Sequence, residues 1–191
     1  AVAALRLLWT DIAANWFDNQ GVDVLTDVPL SSAAFAIGDL AKQKDKVAIF
    51  TGAASADITG THCGPNHLHW VYDTWSMPHG VVDASVKQGA DTWFFITADY
   101  AFGHSLQKDA ASFVTAAGGK VLGQALAPFP GTTDFSAFLV QAKASGAKAI
   151  GLANGGNDTV NCIKQAAEFG ITSGGQKVAG LLSCSPYIKA L

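Results

Sequence analysis

Charge is scarce in this chain. Only 14% of its 191 residues are Asp, Glu, Lys or Arg, and the formal net charge is −3. That leaves no basic footprint for a nucleic acid and no polybasic run for a membrane surface. No apolar run approaches the roughly 20 residues that span a bilayer. The apolar N-terminus, residues 1–8, lacks a charged leader and flows into an amphipathic pattern, so no signal peptide is read there. Three cysteines, Cys63, Cys162 and Cys184, allow at most one internal bridge and one free thiol. They exclude a disulfide scaffold and leave the redox compartment open. Catalytic signatures are missing too: there is no G-x-S-x-G elbow, no H-E-x-x-H and no acid pair at telling spacing. Neither glycine-rich phosphate motif, G-x-G-x-x-G or G-x-x-x-x-G-K-[ST], occurs.

What the chain has is apolar residues, 49% of the total, a share that suits strands buried on both faces of parallel sheets. The spacing of Leu5, Leu8, Ile12, Trp16 and Phe17 predicts a helix over 2–19, closed by Gly21. A strand over 22–25 follows, then a helix from Ser31 to Lys42 with Ser31 and Ser32 as expected caps. Strands are predicted at 47–50 and 69–72 around a polar loop, then a helix over 77–89. The sharpest pattern comes next, the run Trp93-Phe94-Phe95-Ile96-Thr97-Ala98 leading through Asp99 and Tyr100 into a helix over 101–117. Further strands at 120–126, 147–152 and 177–182 alternate with helices at 134–145, capped by Thr132 or Thr133, and 158–169. Such alternation predicts an α/β fold with parallel sheets built from βαβ units. The best linker lies at residues 72–76, where a fresh βαβ series begins. Two lobes are therefore expected, 1–73 and 74–191, with Asp73 and Thr74 as the hinge.

Candidate chemistry is sparse. His62, Cys63, His67 and His69 crowd together and could ligate a metal, but a second ligand pair is missing, and an ordinary loop explains them; no metal or cofactor is expected. The stretch from Asn154 to Asp158 joins a strand to a helix. Its glycines admit a close ligand and the helix N-terminus offers free N–H groups, while a tight turn with an Asn or Asp cap reads equally well. The shared feature is position: Ser31-Ser32, Thr51 to Ser55, Asp99-Tyr100 and Asn154 to Asp158 all follow strands. Ligand-contacting groups of open α/β sheets sit at such carboxyl ends. Hydroxyls and loop amides suit a carboxylate, and Tyr and Asp suit an amine or an apolar body. Asp99 reads either as a ligand contact or as the cap of the helix that follows.

With these turns in view the chain resembles the type I periplasmic solute-binding proteins of ABC transporters, in the branched-chain amino acid (Leu/Ile/Val) family. The resemblance is carried in order by GVDVLTDVPLSSAAFAIGDLA, KVAIFTGAASADITG, HWVYDT, TWFFITADYAFGHSLQKDAASFV, GTTDFSAFLVQAKASGAKAIGLANGGNDTVNCIKQAAEFG and GQKVAGLL. It implies two Rossmann-like lobes that close over a small solute, perform no chemistry and deliver it to a permease. By position, Ser31 and Ser32 match the first-lobe turn that meets a carboxylate. Ala53, Ala54 and Ser55 match the turn that adds a backbone amide and a hydroxyl. Tyr100 matches a tyrosine facing the cleft, and Asn154 to Asp158 a loop that holds an ammonium group or packs on the side chain.

The departures bear on the ligand. Amino-acid-binding members often place an aromatic in that later loop, where this chain has glycines. They often carry an acid after the last strand here, where this chain has Ser183-Cys184-Ser185-Pro186. Aromatic carboxylates, amides and other small acids therefore stand beside amino acids as expected solutes. By the same comparison the opening strand and helix of the first lobe and everything beyond residue 191 are absent, so residues 1–191 alone are expected to be poorly stable. The resemblance implies a monomeric, extracytoplasmic protein exported by a signal peptide outside this chain. The alternative is the ligand-sensing domain of an intracellular regulator or receptor with the same fold. A small α/β enzyme is a third reading, without a readable nucleophile and base.

Overall fold

The computed structural model describes residues 1–191, with side chains at every position except 185 and 188. The expected α/β class is observed, and all strand pairing is parallel. By the density of internal contacts the chain divides into two compact units, residues 1–73 with 100–102, and residues 74–99 with 103–191.

The first unit holds α1 (Val2–Asn19), β1 (Val24–Thr26), α2 (Ser31–Gln43), β2 (Val47–Phe50), a 3₁₀ turn (Ala56–Ile58) and β3 (His67–His69), with sheet order β1-β2-β3. Its core is built from small residues of α2, Ala33, Ala34 and Ala41, packed with Ile37 against Ala48 and Phe50 of β2 and Phe17 of α1. Small side chains let the helix lie close to the sheet. The apolar stripe of α1 is only partly covered among the described residues: Leu8, Ile12 and Trp16 remain 54%, 40% and 40% exposed. Together with Leu25, Val28 and Ile37, two of them, Ile12 and Trp16, border a groove of ≈ 290 Å³.

The second unit holds α3 (Ser76–Lys87), β4 (Thr92–Ala98), α4 (Ala101–Ala116) from Gly103 onward, β5 (Lys120–Ala127), α5 (Ser136–Ala144), β6 (Ala149–Ala153), α6 (Asn157–Glu168), β7 (Lys177–Gly180) and α7 (Ser185–Lys189), with sheet order β5-β4-β6-β7. β4 and β6 are central, which is why their sequences are apolar without alternation. Phe94 and Ile96 of β4 join Phe135, Leu139, Ile150 and Leu152 in one cluster. On the opposite side of the pleat Trp93 and Phe95 stack at 6.0 Å, and Thr97 Oγ1 donates to Gln107 Oε1 of α4 at 2.7 Å. Burying each such large side chain is worth about 1.5–3 kcal/mol.

Several expected boundaries move, each for a visible reason. Leu30, not a serine, is the N-cap of α2, and no side chain caps it; Ser31 lies inside the first turn with its hydroxyl engaged elsewhere. The cap-like bond at α5 comes from Asp134, whose Oδ1 accepts from the Ser136 N–H at 2.9 Å. Hydrogen bonding from the Ser136 side chain, and then from this backbone N–H, holds the Asp134 carboxyl below its usual pKa. Thr132 instead donates to the Pro128 carbonyl. The third strand is His67–His69 rather than 69–72: β2 has only four residues, its register pairs Phe50 with His69, and the last ladder bond is Trp70 N–H to Phe50 O. Trp70 and Tyr72 fall beyond the ladder and are exposed. The first strand is Val24–Thr26 rather than 22–25, since its ladder starts at Val24 opposite Val47. The short helix α7, opened by a proline in its first turn, was not expected after the last strand.

Candidate functional site

In the first unit the carboxyl ends of the parallel neighbours β1 and β2 lead into two polar turns, and one hydrogen bond ties them together. The Ser55 N–H donates to Ser31 Oγ at 3.3 Å, with both residues buried. The 53–55 turn is braced at further points. Ala53 N–H donates to the Val28 carbonyl at 2.8 Å, Ser55 Oγ accepts from the Asp57 N–H at 3.3 Å, and Gly52 packs so close to Pro29 that a Cβ there would lie 3.0 Å from its Cα. The structure thus brings Ser31, Ala53 and Ser55 together and commits the Ala53 and Ser55 amides internally. Two donors are left over: Ser32 Oγ is buried with no hydrogen-bond partner among the described residues, and the Ala54 N–H has none there either. A buried hydroxyl and an amide without partners cost free energy until something accepts from them. An anion meets that need.

The histidines take separate tasks. His67 and His69, two apart on β3 and hence on one face, both turn toward the loop after β2. His67 Nε2 donates to the Ile58 carbonyl at 3.0 Å and His69 Nε2 to the Ala53 carbonyl at 2.8 Å; a carbonyl only accepts, so both rings carry hydrogen on Nε2. His62 stacks on Phe35 at 4.0 Å, and Cys63 is an exposed free thiol. Sequence reasoning grouped these residues as a possible ligand set and missed the bracing role; the His-x-His spacing on a strand was the available signal.

In the second unit β4 exits through Asp99, and Tyr100, which follows, is counted with the first unit. Asp99 N–H extends the ladder to the Ala127 carbonyl at 2.8 Å, and its carboxylate accepts from His104 Nε2 at 2.9 Å. Tyr100 is half-buried, its ring 5.8 Å from that of Phe102. Gly103 allows the sharp turn: a Cβ there would run into the Ala98 carbonyl, with its carbon at 2.9 Å. The loop after β6 is split in role. Asn154 is fully buried, its Oδ1 accepting from Thr159 Oγ1 at 2.8 Å and its Nδ2 lying 3.8 Å from Cys162 Sγ. It braces the loop against α6. Asp158, in the first turn of α6, is half-buried, and burial raises its carboxyl above the usual pKa. Burial likewise pushes the Cys162 thiol up to about 12. Asp73 and Thr74 flank the division between units, and Thr74 Oγ1 donates to Asp109 Oδ2 at 2.9 Å. No helix among the described residues is long and apolar enough to cross a membrane.

Parallel sheets in two groups, with polar turns at their carboxyl ends, are the architecture of type I periplasmic binding proteins. The chain belongs to the periplasmic binding protein family, whose model matches residues 10–191. Among solved structures it is similar to a periplasmic binding protein from Burkholderia mallei, at 45% identity and a TM-score of 0.93, covering 97% of this chain and 49% of that one. It is similar too to a branched chain amino acid ABC transporter periplasmic ligand-binding protein from Burkholderia xenovorans LB400, at 40% identity and TM-score 0.75, over 95% and 48% of the two chains. A solute binding protein of an ABC transporter from Rhodopseudomonas palustris BisB5, solved with 3,4-dihydroxy benzoic acid, shares 26% identity at TM-score 0.82, over 92% and 48%. The chain therefore spans about half the length of the solved chains it matches. No curated protein matches it.

Proposed function

We propose that the protein is the extracytoplasmic solute-binding component of an ABC transporter, capturing a small carboxylate-bearing solute and passing it to a permease without chemical change. The observation that carries this reading is the pair of strand-end turns joined by Ser31 and Ser55, which leaves the Ser32 hydroxyl and the Ala54 amide without internal partners. These two donors take the carboxylate, and Ser31, Ala53 and Ser55 hold them in place. Tyr100 and Asp158 contact the rest of the solute, while Asn154 shapes its loop from within. Asp73 and Thr74 form the hinge between lobes 1–73 and 74–191.

The solute is an amino acid or an aromatic acid. The relative from Burkholderia xenovorans LB400 supports transport of the first kind, and the Rhodopseudomonas relative supports the second. The glycines at 155 and 156 and the absence of a carboxylate in residues 183–186 favour the second. The test is thermal shift of the intact protein with L-leucine, L-phenylalanine, benzoate, 3,4-dihydroxybenzoate and benzamide. A ligand that binds only the native state raises the midpoint by mass action. A shift with one or more of the acids is expected, lost in Ser32→Ala with Tyr100→Ala. If no acid shifts the midpoint, the reading fails.

A further inference from the structure

We propose that His69 is a positioning residue for solute binding: from β3 it holds the Ala53 carbonyl and so fixes the peptide plane that aims the Ala54 N–H. The inference rests on the solute-binding reading above but concerns a residue outside the proposed donor pair, acting through the Ala53 carbonyl. The peptide joining Ala53 to Ala54 contains both groups, the Ala53 carbonyl and the Ala54 N–H, and a peptide is planar. Fixing the oxygen therefore fixes the direction of the N–H. His69 donates to that oxygen at 2.8 Å. The preceding peptide is fixed by the Ala53 N–H to Val28 O bond at 2.8 Å, and the following one by the Ser55 N–H to Ser31 Oγ bond at 3.3 Å. Of three consecutive peptides, the middle one is held among the described residues only through its oxygen, and there only by the imidazole.

The imidazole is itself well placed to be rigid. His69 is the last residue of β3, paired with Phe50 in the ladder, and its neighbour His67 makes the parallel contact to Ile58 at 3.0 Å. The two rings grip the loop at both ends of the stretch 53–58. A loop of this length without such a grip samples many peptide orientations, and a preorganised donor binds an anion without that ordering cost.

The test compares wild type, His69→Phe and His69→Gln in the intact protein. Phe keeps a ring and loses the donor; Gln keeps a donor at similar reach and loses the ring. Amide hydrogen exchange of residues 51–58 is read without added solute, against β4 as an internal standard, and affinity by calorimetry with L-leucine, benzoate and 3,4-dihydroxybenzoate. Expected for His69→Phe is exchange about tenfold faster in 51–58 alone and affinity about tenfold weaker, the scale of one net hydrogen bond. His69→Gln should return both to within about threefold of wild type. Unchanged exchange in His69→Phe overturns the proposal, as does faster exchange with unchanged affinity, or a Gln variant no better than Phe. If His69→Phe does not fold, the Gln variant decides, since it shares only the donor: wild-type exchange and affinity support the proposal and their loss overturns it. If wild type binds none of the three compounds while exchange responds as expected, the solute reading falls and the hold of His69 on the turn stands.

Discussion

The hydroxyl of Ser31 accepts the backbone N–H of Ser55 across 3.3 Å, joining the first turn of α2 to the turn after β2 between two buried residues of the first unit. Ser31→Ala removes that acceptor where water does not readily replace it. The expected cost is about 1–2 kcal/mol of stability, seen as a lower urea midpoint with an unchanged slope. A midpoint equal to wild type would show that the bond carries no net weight.

Close approach makes two glycines of the second unit intolerant of a methyl group. At Gly151 in β6 a Cβ would sit 2.6 Å from the Phe95 ring, so Gly151→Ala should lose about 1–3 kcal/mol through overpacking. At Gly103 the obstacle is backbone, the Ala98 carbonyl, which cannot turn aside as a ring can. Gly103→Ala should be the worse of the pair. Denaturation curves ranking them in the other order would contradict this account of the β4 exit.

Thiol chemistry should separate the three cysteines. Cys63 is exposed, Cys184 partly so, and Cys162 is buried with its thiol at about 12. Thiolate is the reacting form. At mildly alkaline pH a maleimide should label Cys63 first and Cys162 only after unfolding, as read by mass spectrometry of the digested protein. Prompt labelling of Cys162 in the native state would mean that the inner face of α6, which carries it, is not packed in the core.

The carboxyl of Asp158 is raised above 3.8 by burial. The native state therefore holds its proton more tightly than the unfolded chain, so its contribution favours folding at low pH. That contribution declines as pH rises from about 3.8 through the raised native value. Asp158→Asn removes the titration, and the difference in stability between variant and wild type should shift in favour of the variant across that window. Parallel stability curves for the two proteins between about pH 4 and 7 would rule this out.

The central strands were legible because burial on both faces writes itself as an apolar run: Trp93 to Ala98 and Ala149 to Ala153 needed no partner information. Strand ends at the sheet margin were not. His67–His69 is set by how far β2 extends, and Trp70 and Tyr72 imitate an alternating strand without a neighbour to pair with. Likewise the sequence marks Ser31 and Ser32 as cap residues, since a hydroxyl before a helix serves either purpose; only the arrival of Ser55, 24 residues later, redirects Ser31. The turns themselves were visible from their position after strands. Which of their donors is spent and which is left over is a matter of three-dimensional pairing, and so was the conversion of two suspected metal ligands into braces.

The ring of His67 occupies a slot bounded by two glycines. A Cβ at Gly38 would lie 2.8 Å from its Nδ1, and one at Gly64 would lie 3.2 Å away. Positions 38, 64 and 67 are thus not free to drift one at a time. A descendant that gains a side chain at 38 must first trade the imidazole for something smaller, surrendering the hold on Ile58. The order in which such changes accumulate is thus constrained by steric fit, and alanine or serine at residue 38 is expected only once the ring at 67 is gone.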